Sequence, residues 1–167
     1  MKEVYLGLGS NKGERISFIE KAVSEIGHLP GTKIFTRAGI YETEPWGNIE
    51  QDDYLNTVIG INTTMKAEDL LKELKRIEKH IGRMENKKWS EREIDIDLLF
   101  YGDDIIDNDN MIVPHGHIDK RRFVLVPMNE IAPDLIHPVF KKSISQLLDS
   151  TTDNLKVFKY KLSNTEK

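Results

Sequence analysis

A chain of 167 residues is long enough for one domain with a sizeable apolar core. Hydrophobic residues make up 38% of it and charged residues 31%, a composition typical of a globular protein. The net charge of -4 argues against general nucleic-acid binding, although a local basic pocket remains compatible with it. The absence of cysteine excludes disulfides, zinc–thiolate sites and a thiol nucleophile.

The chain opens on Met1-Lys-Glu-Val, which leads directly into a predicted strand, and no signal peptide or apolar run of membrane-spanning length is present. We therefore expect a cytoplasmic protein with no membrane partner. No repeat, low-complexity tract or linker interrupts the sequence. We expect one domain over residues 1–167, with residues 162–167 as a frayed tail, and a monomer.

Hydrophobic periodicity and turn residues predict an alternation of strands and helices. In chain order they are a strand at 4–8, a helix ending at 27, extended structure at 33–41, a strand at 55–62, a helix ending at 82, a strand at 94–100, a short hairpin around 105–106, a short helix at 144–148 and a strand at 155–160. The first strand is followed by a glycine-rich turn, which either binds phosphate or serves close backbone packing; its sequence lacks the complete phosphate-loop motif and favours packing.

The most informative stretch is the strand at 94–100. Apolar residues at 94, 96, 98 and 100 alternate with acids, so Asp95 and Asp97 project from one face, about 7 Å apart at their Cα atoms. Two like charges on one face repel, and a bound Mg²⁺ would relieve that repulsion because it takes one or two carboxylates plus water and phosphate. The alternative is a solvated polar face, which the Asp-x-Asp motif alone favours.

Two polar loops carry large rings. The first loop contains Trp46 and leads into Tyr54. These two aromatic rings either cover the edge of the core or close over a flat ligand. The loop after residue 82 carries Arg83 and Arg92 around Trp89, either as a solvated connection or as a phosphate-binding segment. Two histidines further on, at 115 and 117, lack an evident third metal ligand.

Taken together, these stretches resemble the 6-hydroxymethyl-7,8-dihydropterin pyrophosphokinases of the folate pathway. The most specific match is Arg92-x-x-Asp-Ile-Asp-Leu-Leu-Phe100 after a tryptophan. Four further matches follow the family's order: Tyr54-Leu-Asn56, Arg83, Val113-Pro-His115 and Arg121-x-Phe123. The resemblance as a whole runs from Leu6-Gly-Leu-Gly-Ser-Asn11 to Glu130-Ile-Ala-Pro133. Five such matches in sequence reverse the preference for a merely solvated acid pair.

The resemblance implies transfer of pyrophosphate from ATP to the hydroxymethyl group of the pterin, with release of AMP. It implies two Mg²⁺ ions on Asp95 and Asp97, which with Arg83 and Arg92 are the predicted catalytic residues. The residues predicted to bind the nucleotide are Glu78, Trp89, Arg92, His115 and Arg121. The residues predicted to bind the pterin are Thr43, Pro45, Trp46, Tyr54, Asn56 and Phe123.

Some positions depart from the family pattern. Ser90 replaces a glycine, Glu85 stands where a basic residue is common, and Gly116 leaves no side chain beside His115. These departures put individual nucleotide contacts in question, and none of them removes the acid pair. No residue stands out as a general base.

We expect an α+β fold of ferredoxin-like type, an antiparallel sheet with helices packed on it. Two other functions were weighed. Nucleotidyltransferases also place Gly-Ser before an acidic pair, but they keep the two close, whereas Ser10 and Asp95 lie far apart here. A ferredoxin-like ligand-binding or RNA-binding module is the non-enzymatic alternative, and the acid pair and negative charge count against RNA.

Overall fold

The computed structural model describes residues 1–43, 53–82 and 93–161. Within these ranges the strands are β1 (Lys2–Ser10), β2 (Thr32–Arg37), β3 (Tyr41–Thr43), β4 (Tyr54–Thr63), β5 (Asp95–Tyr101), β6 (Ile106–Asp107), β7 (Ile112–Val113) and β8 (Val157–Lys159). The helices are α1 (Arg15–Gly27), α2 (Ala67–Ile81), α3 (Arg122–Ile131) and α4 (Ile144–Ser150). A short 3-10 helix, Ile118–Lys120, precedes α3.

The main sheet has the strand order β5-β1-β4-β3-β8, and its pairings are antiparallel. Strand β2 pairs with one half of β4 and β3 with the other half, so the two together occupy the place of a single strand beside β4. The chain order β1-α1-β2/β3-β4-α2-β5 with this sheet order is the ferredoxin-like arrangement. The predicted α+β fold is therefore confirmed. Strands β6 and β7 form the small separate hairpin that the sequence predicted.

Helices cover both faces of the sheet. On one face α1 and α2 pack on side chains from the central strands, among them Leu6, Leu8 and Ile96. On the other face α3 and α4 pack on a second cluster that includes Tyr5 and Val58. The helical periodicity read from the sequence is confirmed, since the stripe of α2 is buried along the helix and Gly82 follows its last turn.

The alternation predicted for β5 holds through Leu98 and then breaks. Leu98 is paired with Leu6 and Phe100 with Tyr5, so Leu99 is an extra residue relative to β1. This bulge turns both Leu99 and Phe100 into the core beneath α3 and α4. The expectation that Phe100 shares a face with Ile96 and Leu98 is therefore wrong, because a strict period of two cannot continue across an inserted residue.

His137 organises the turn that leads into α4. Its imidazole is buried, and its Nδ1 accepts hydrogen bonds from the backbone N–H groups of Val139 at 3.1 Å and Phe140 at 3.2 Å. The ring also packs against Phe140 and Phe100, with centroids 4.4 and 5.6 Å away. Burial lowers the pKa of His137 below its ordinary 6.5, and Asp119 opposes that shift. The neutral imidazole is therefore the form that holds this turn.

We expect the free energy of unfolding to decrease as the pH falls below about 6.5. Because the pKa of His137 is lower in the folded chain, the unfolded chain binds more protons below its own pKa, and acid favours unfolding. In His137→Asn the amide oxygen replaces the Nδ1 acceptor without titrating, so the stability should depend less on pH. Urea unfolding at pH 5.5 and 7.5 measures both proteins, and equal pH dependence in the two would contradict this role.

Candidate functional site

A cleft of about 190 Å³ opens on the α3 side of the sheet, at the end where β1 meets the start of β5. It is lined by Gly7, Leu8, Gly9, Thr43, Tyr54, Asn56, Thr57, Val58, Asp95, Asp97, Arg121, Phe123 and Val124. Four strands, β1, β3, β4 and β5, and the start of α3 thus contribute to one cavity. The structure brings together here predicted residues from the metal, pterin and nucleotide groups.

The acid pair lies on one face of β5, as the sequence predicted. Asp95 and Asp97 are both partly exposed and both line the cleft, whereas Ile96 between them is buried on the opposite face. Asp95 pairs in register with Gly9, and Asp97 pairs with Gly7. The strand next to the two carboxylates therefore carries no side chains at these two positions.

Close packing restricts the side chain at residue 9 but leaves room for a Cβ atom at residue 7. A Cβ atom on Gly9 would lie 2.6 Å from the Oδ1 atom of Asn56, a distance that real contacts do not show. A Cβ atom on Gly7 would lie 3.4 Å from Leu99, in ordinary contact. The preference for a packing role over phosphate binding is thus supported at Gly9, but both glycines belong to β1 rather than to the turn after it. Their position at the floor of the cleft was not predicted, because the spacing of residues along the sequence does not show which strands pair.

Asn56 and Thr43 form a fixed polar group beside this floor. The Nδ2 atom of Asn56 donates a hydrogen bond of 2.7 Å to Oγ1 of Thr43, and both side chains are buried. The Oδ1 atom of Asn56 lies over Gly9. Tyr54 enters the cleft from β4 and Phe123 from α3, so two aromatic rings reach it from different layers of the fold. This arrangement suits a flat ligand with a polar edge.

Arg121 and His115 form the basic side of the site. The Nε atom of Arg121 is buried without a hydrogen-bond partner among the described residues, and its guanidinium lies 5.7 Å from the centre of the Phe123 ring. A buried N–H group without an acceptor is costly, so this atom is suited to an anionic oxygen of a ligand.

His115 is fixed to the bulge of β5, because its backbone N–H donates a 3.0 Å hydrogen bond to the carbonyl oxygen of Leu99. Burial lowers the pKa of its imidazole; Arg121 and His117 lower it further, while Asp97 opposes the shift. A neutral imidazole near Asp97 and Arg121 follows from this balance. His115 thereby joins the part of the site that holds the acid pair.

Glu78 lies at the other side of β5. Its carboxylate accepts a 2.7 Å hydrogen bond from the backbone N–H of Ile96 and pairs with Lys75 at 3.3 Å. Burial raises the pKa of Glu78, and the charge of Asp95 adds to that effect. The carboxylate of Glu78 thus reaches β5, an edge strand of the main sheet. Its predicted contact with a nucleotide stays a prediction.

Several predicted site residues lie outside the described ranges. They are Pro45 and Trp46 from the first polar loop and Arg83, Trp89 and Arg92 from the second. The departures from the family pattern at Glu85 and Ser90 lie outside them too.

The donor set in the cleft fits a magnesium ion. Among residues 1–43, 53–82 and 93–161, no group of three or more histidine and acidic side chains could enclose a metal. Two carboxylates on one open face leave most coordination positions to other ligands, which is the pattern of Mg²⁺ bound together with phosphate and water. Zinc and calcium sites made entirely of protein ligands need larger sets.

Comparisons with known proteins agree with this geometry. The sequence profile of the 7,8-dihydro-6-hydroxymethylpterin-pyrophosphokinase (HPPK) family matches residues 5–133. The 2-amino-4-hydroxy-6-hydroxymethyldihydropteridine pyrophosphokinase of Aquifex aeolicus is 42% identical over 153 residues, which cover 91% of this chain and 94% of the relative. The enzyme of the same name from Haemophilus influenzae is 39% identical over 138 residues, covering 83% and 86% of the two chains.

Solved structures show the same fold. Wild-type HPPK-DHPS of Plasmodium falciparum superposes with a TM-score of 0.71 at 15% identity, over 89% of this chain and 44% of that one. This chain therefore spans less than half of that longer protein. No helix within the described ranges combines the length and apolarity that crossing a membrane requires.

The family match decides against the nucleotidyltransferase and the binding-module alternatives. The chain belongs to the HPPK family and is a pyrophosphokinase of folate biosynthesis, which transfers pyrophosphate to hydroxymethyldihydropterin with ATP as co-substrate.

Proposed function

We propose that the transfer takes place in the cleft between β5 and α3, with two Mg²⁺ ions held by Asp95 and Asp97. The observation that carries this proposal is the shared orientation of the two carboxylates over the side-chain-free positions of β1, in the same cavity as Asn56 and Phe123. When bound, the ions would neutralise the negative charge that develops on the phosphates during transfer. The products are then the pterin pyrophosphate and AMP.

The basic side of the cleft supports the binding of the phosphates. Arg121 offers a buried N–H group that has no acceptor within the described ranges, and its charge would offset that of the transferred group. His115, kept neutral by burial, can donate or accept one hydrogen bond beside Asp97 without adding charge. Arg83 and Arg92 complete this group in our proposal, together with Trp89 and Glu78 as nucleotide contacts.

The opposite side of the cleft supports the binding of the pterin. Phe123 and Tyr54 would stack on the two faces of the ring, and Thr43 and Asn56 would pair with its polar edge. The Asn56–Thr43 hydrogen bond fixes where donors and acceptors stand, and a ligand that left one of them unpaired would lose about 1–3 kcal/mol. Pro45 and Trp46 complete this pocket in the proposal. Positioning of the alcohol against the phosphorus is the main catalytic contribution of these residues.

Exclusion of water is the remaining requirement, because water would otherwise accept the pyrophosphate. We propose that the two polar loops, 44–52 and 83–92, cover the ligands during turnover. The monomeric state, the cytoplasmic location and the action of residues 1–167 as one domain also stay predictions.

Replacing Asp97 with asparagine should lower kcat by about 100-fold or more, because a neutral amide is a poor ligand for Mg²⁺. The assay is release of AMP from ATP, Mg²⁺ and 6-hydroxymethyl-7,8-dihydropterin, with far-ultraviolet circular dichroism to confirm folding. Asp104→Asn is the matched control, because Asp104 pairs with Lys2 on the surface at 3.0 Å, away from the cleft. It should change kcat less than about twofold.

Two outcomes would count against this assignment. Full activity of the folded Asp97→Asn protein would refute the role of the acid pair. Release of ADP or of free pyrophosphate by the wild-type protein, in place of AMP, would refute the reaction itself.

Replacing Phe123 with alanine should raise the KM for the pterin about tenfold, because stacking of an aromatic ring on a planar ligand contributes about 1–3 kcal/mol. The KM for ATP should change little. Phe158→Ala is the control, since Phe158 on β8 is 58% exposed. Steady-state kinetics with each substrate varied in turn measure both constants; an unchanged pterin KM in a folded Phe123→Ala protein would remove Phe123 from the pocket.

A further inference from the structure

Glu130, near the end of α3, joins four parts of the fold. Its carboxylate accepts a 2.5 Å hydrogen bond from the hydroxyl of Tyr41 on β3. The same carboxylate accepts bonds of 3.2 and 3.1 Å from the backbone N–H of Gly39, in the connection between β2 and β3. Lys159 on β8 lies 3.9 Å away. The family name and the proposed chemistry assign no role to this group.

Glu130 and Phe123 lie on the same side of α3. They are seven residues apart, which is close to two helical turns, so the two side chains share a stripe about 10 Å long. One end of this stripe lines the cleft through Phe123, and the other end is held by β3 through Glu130. A shift of α3 at the Glu130 end would therefore move the Phe123 ring.

Tyr41 and Thr43 likewise share one face of their element, the strand β3. They are two residues apart on one strand and project from the same face, about 7 Å apart at their Cα atoms. Tyr41 is paired in register with Asn56, and Asn56 donates its hydrogen bond to Thr43. The strand segment that Glu130 holds is thus the one that positions the polar edge of the pocket.

We propose that Glu130 is a positioning residue that fixes the separation between α3 and β3 through Tyr41 and the backbone of Gly39, and thereby sets the width of the pterin pocket. The inference rests on the proposed pterin pocket between Phe123 and the Asn56–Thr43 pair. It concerns the spacing of the pocket walls, since Glu130 itself lies outside the residues that line the cleft.

The hydrogen bonds from Tyr41 and Gly39 to Glu130 form a clamp between α3 and the β2–β3 region. Their chemistry suits a permanent contact. Burial and the hydrogen bond to Glu130 raise the pKa of Tyr41 to about 12, so its hydroxyl remains a donor at neutral pH. Among the described residues, the partners of this carboxylate are all donors: the phenol, the amide N–H of Gly39 and the ammonium of Lys159. In Glu130→Gln the side chain keeps its size, but an amide NH₂ in place of Oε2 would face the Gly39 N–H, and the remaining oxygen would be an uncharged and weaker acceptor for Tyr41 and Gly39. The clamp contacts would then be weakened.

The test compares Glu130→Gln, Tyr41→Phe and the double variant with wild type, measuring kcat and the KM for pterin and ATP separately. Glu130→Gln should raise the pterin KM about fivefold to twentyfold, with the ATP KM and kcat within about twofold of wild type. Tyr41→Phe should act in the same direction, and the double variant should exceed Glu130→Gln by less than the product of the two effects. Asp134→Asn, an exposed acid just beyond α3, is the charge-matched control.

A merely structural role for Glu130 would lower thermal stability without this selectivity. An unchanged pterin KM, or equal increases in the KM values for both substrates, would overturn the inference. If Glu130→Gln does not fold, Tyr41→Phe decides by the same criterion, since it removes a single hydroxyl. A selective effect of Phe123→Ala with none from the clamp variants would refute the clamp alone, whereas an inactive wild-type protein would overturn the function as well.

Discussion

The register between β1 and β5 is the constraint on which the site depends. It places Gly9 beside Asp95 and Gly7 beside Asp97, so the two carboxylates stand next to bare backbone. A side chain at residue 9 would collide with Asn56, and a register shift of one residue would turn both acids into the core beneath α1 and α2. One set of backbone hydrogen bonds therefore fixes both the face that carries the two carboxylates and the neighbouring polar edge.

The cleft exists because the apolar residues on the α3 side of the sheet stop short of Asp95 and Asp97. The cluster beneath α3 and α4 reaches Leu99 and Phe100, which the bulge in β5 turns to the same side. The bulge also presents the Leu99 carbonyl to the backbone N–H of His115. An inserted residue in one strand thus closes the core and positions His115, a proposed nucleotide contact, at its border.

In the proposed assignment, helix α3 borders both substrate sites. Arg121, just before its first turn, would contact phosphate, and Phe123 in that turn would stack on the pterin. Seven residues later Glu130 contacts β3. Because Thr43 on β3 also lines the cleft, a change in the distance between α3 and β3 would alter the proposed pterin pocket. Under the proposed clamp, a group that does not line the cleft would therefore act mainly on the binding of the pterin.

The sequence determined the features that local periodicity encodes: most of the strands, the helices α1, α2 and α4, the stripe of α2, and the common face of Asp95 and Asp97. Helix α3 is not among the predicted elements, and it contains Pro127, a residue that disfavours a helix interior. The resemblance added the family and its candidate residues. Tertiary structure alone decided the bulge at Leu99, the pairing of the glycines with the acids, and the contact between Glu130 and Tyr41. The physical reason is separation along the chain. The alternation of apolar and polar residues depends on near neighbours, whereas strand register and the clamp contacts join residues that lie far apart in the sequence.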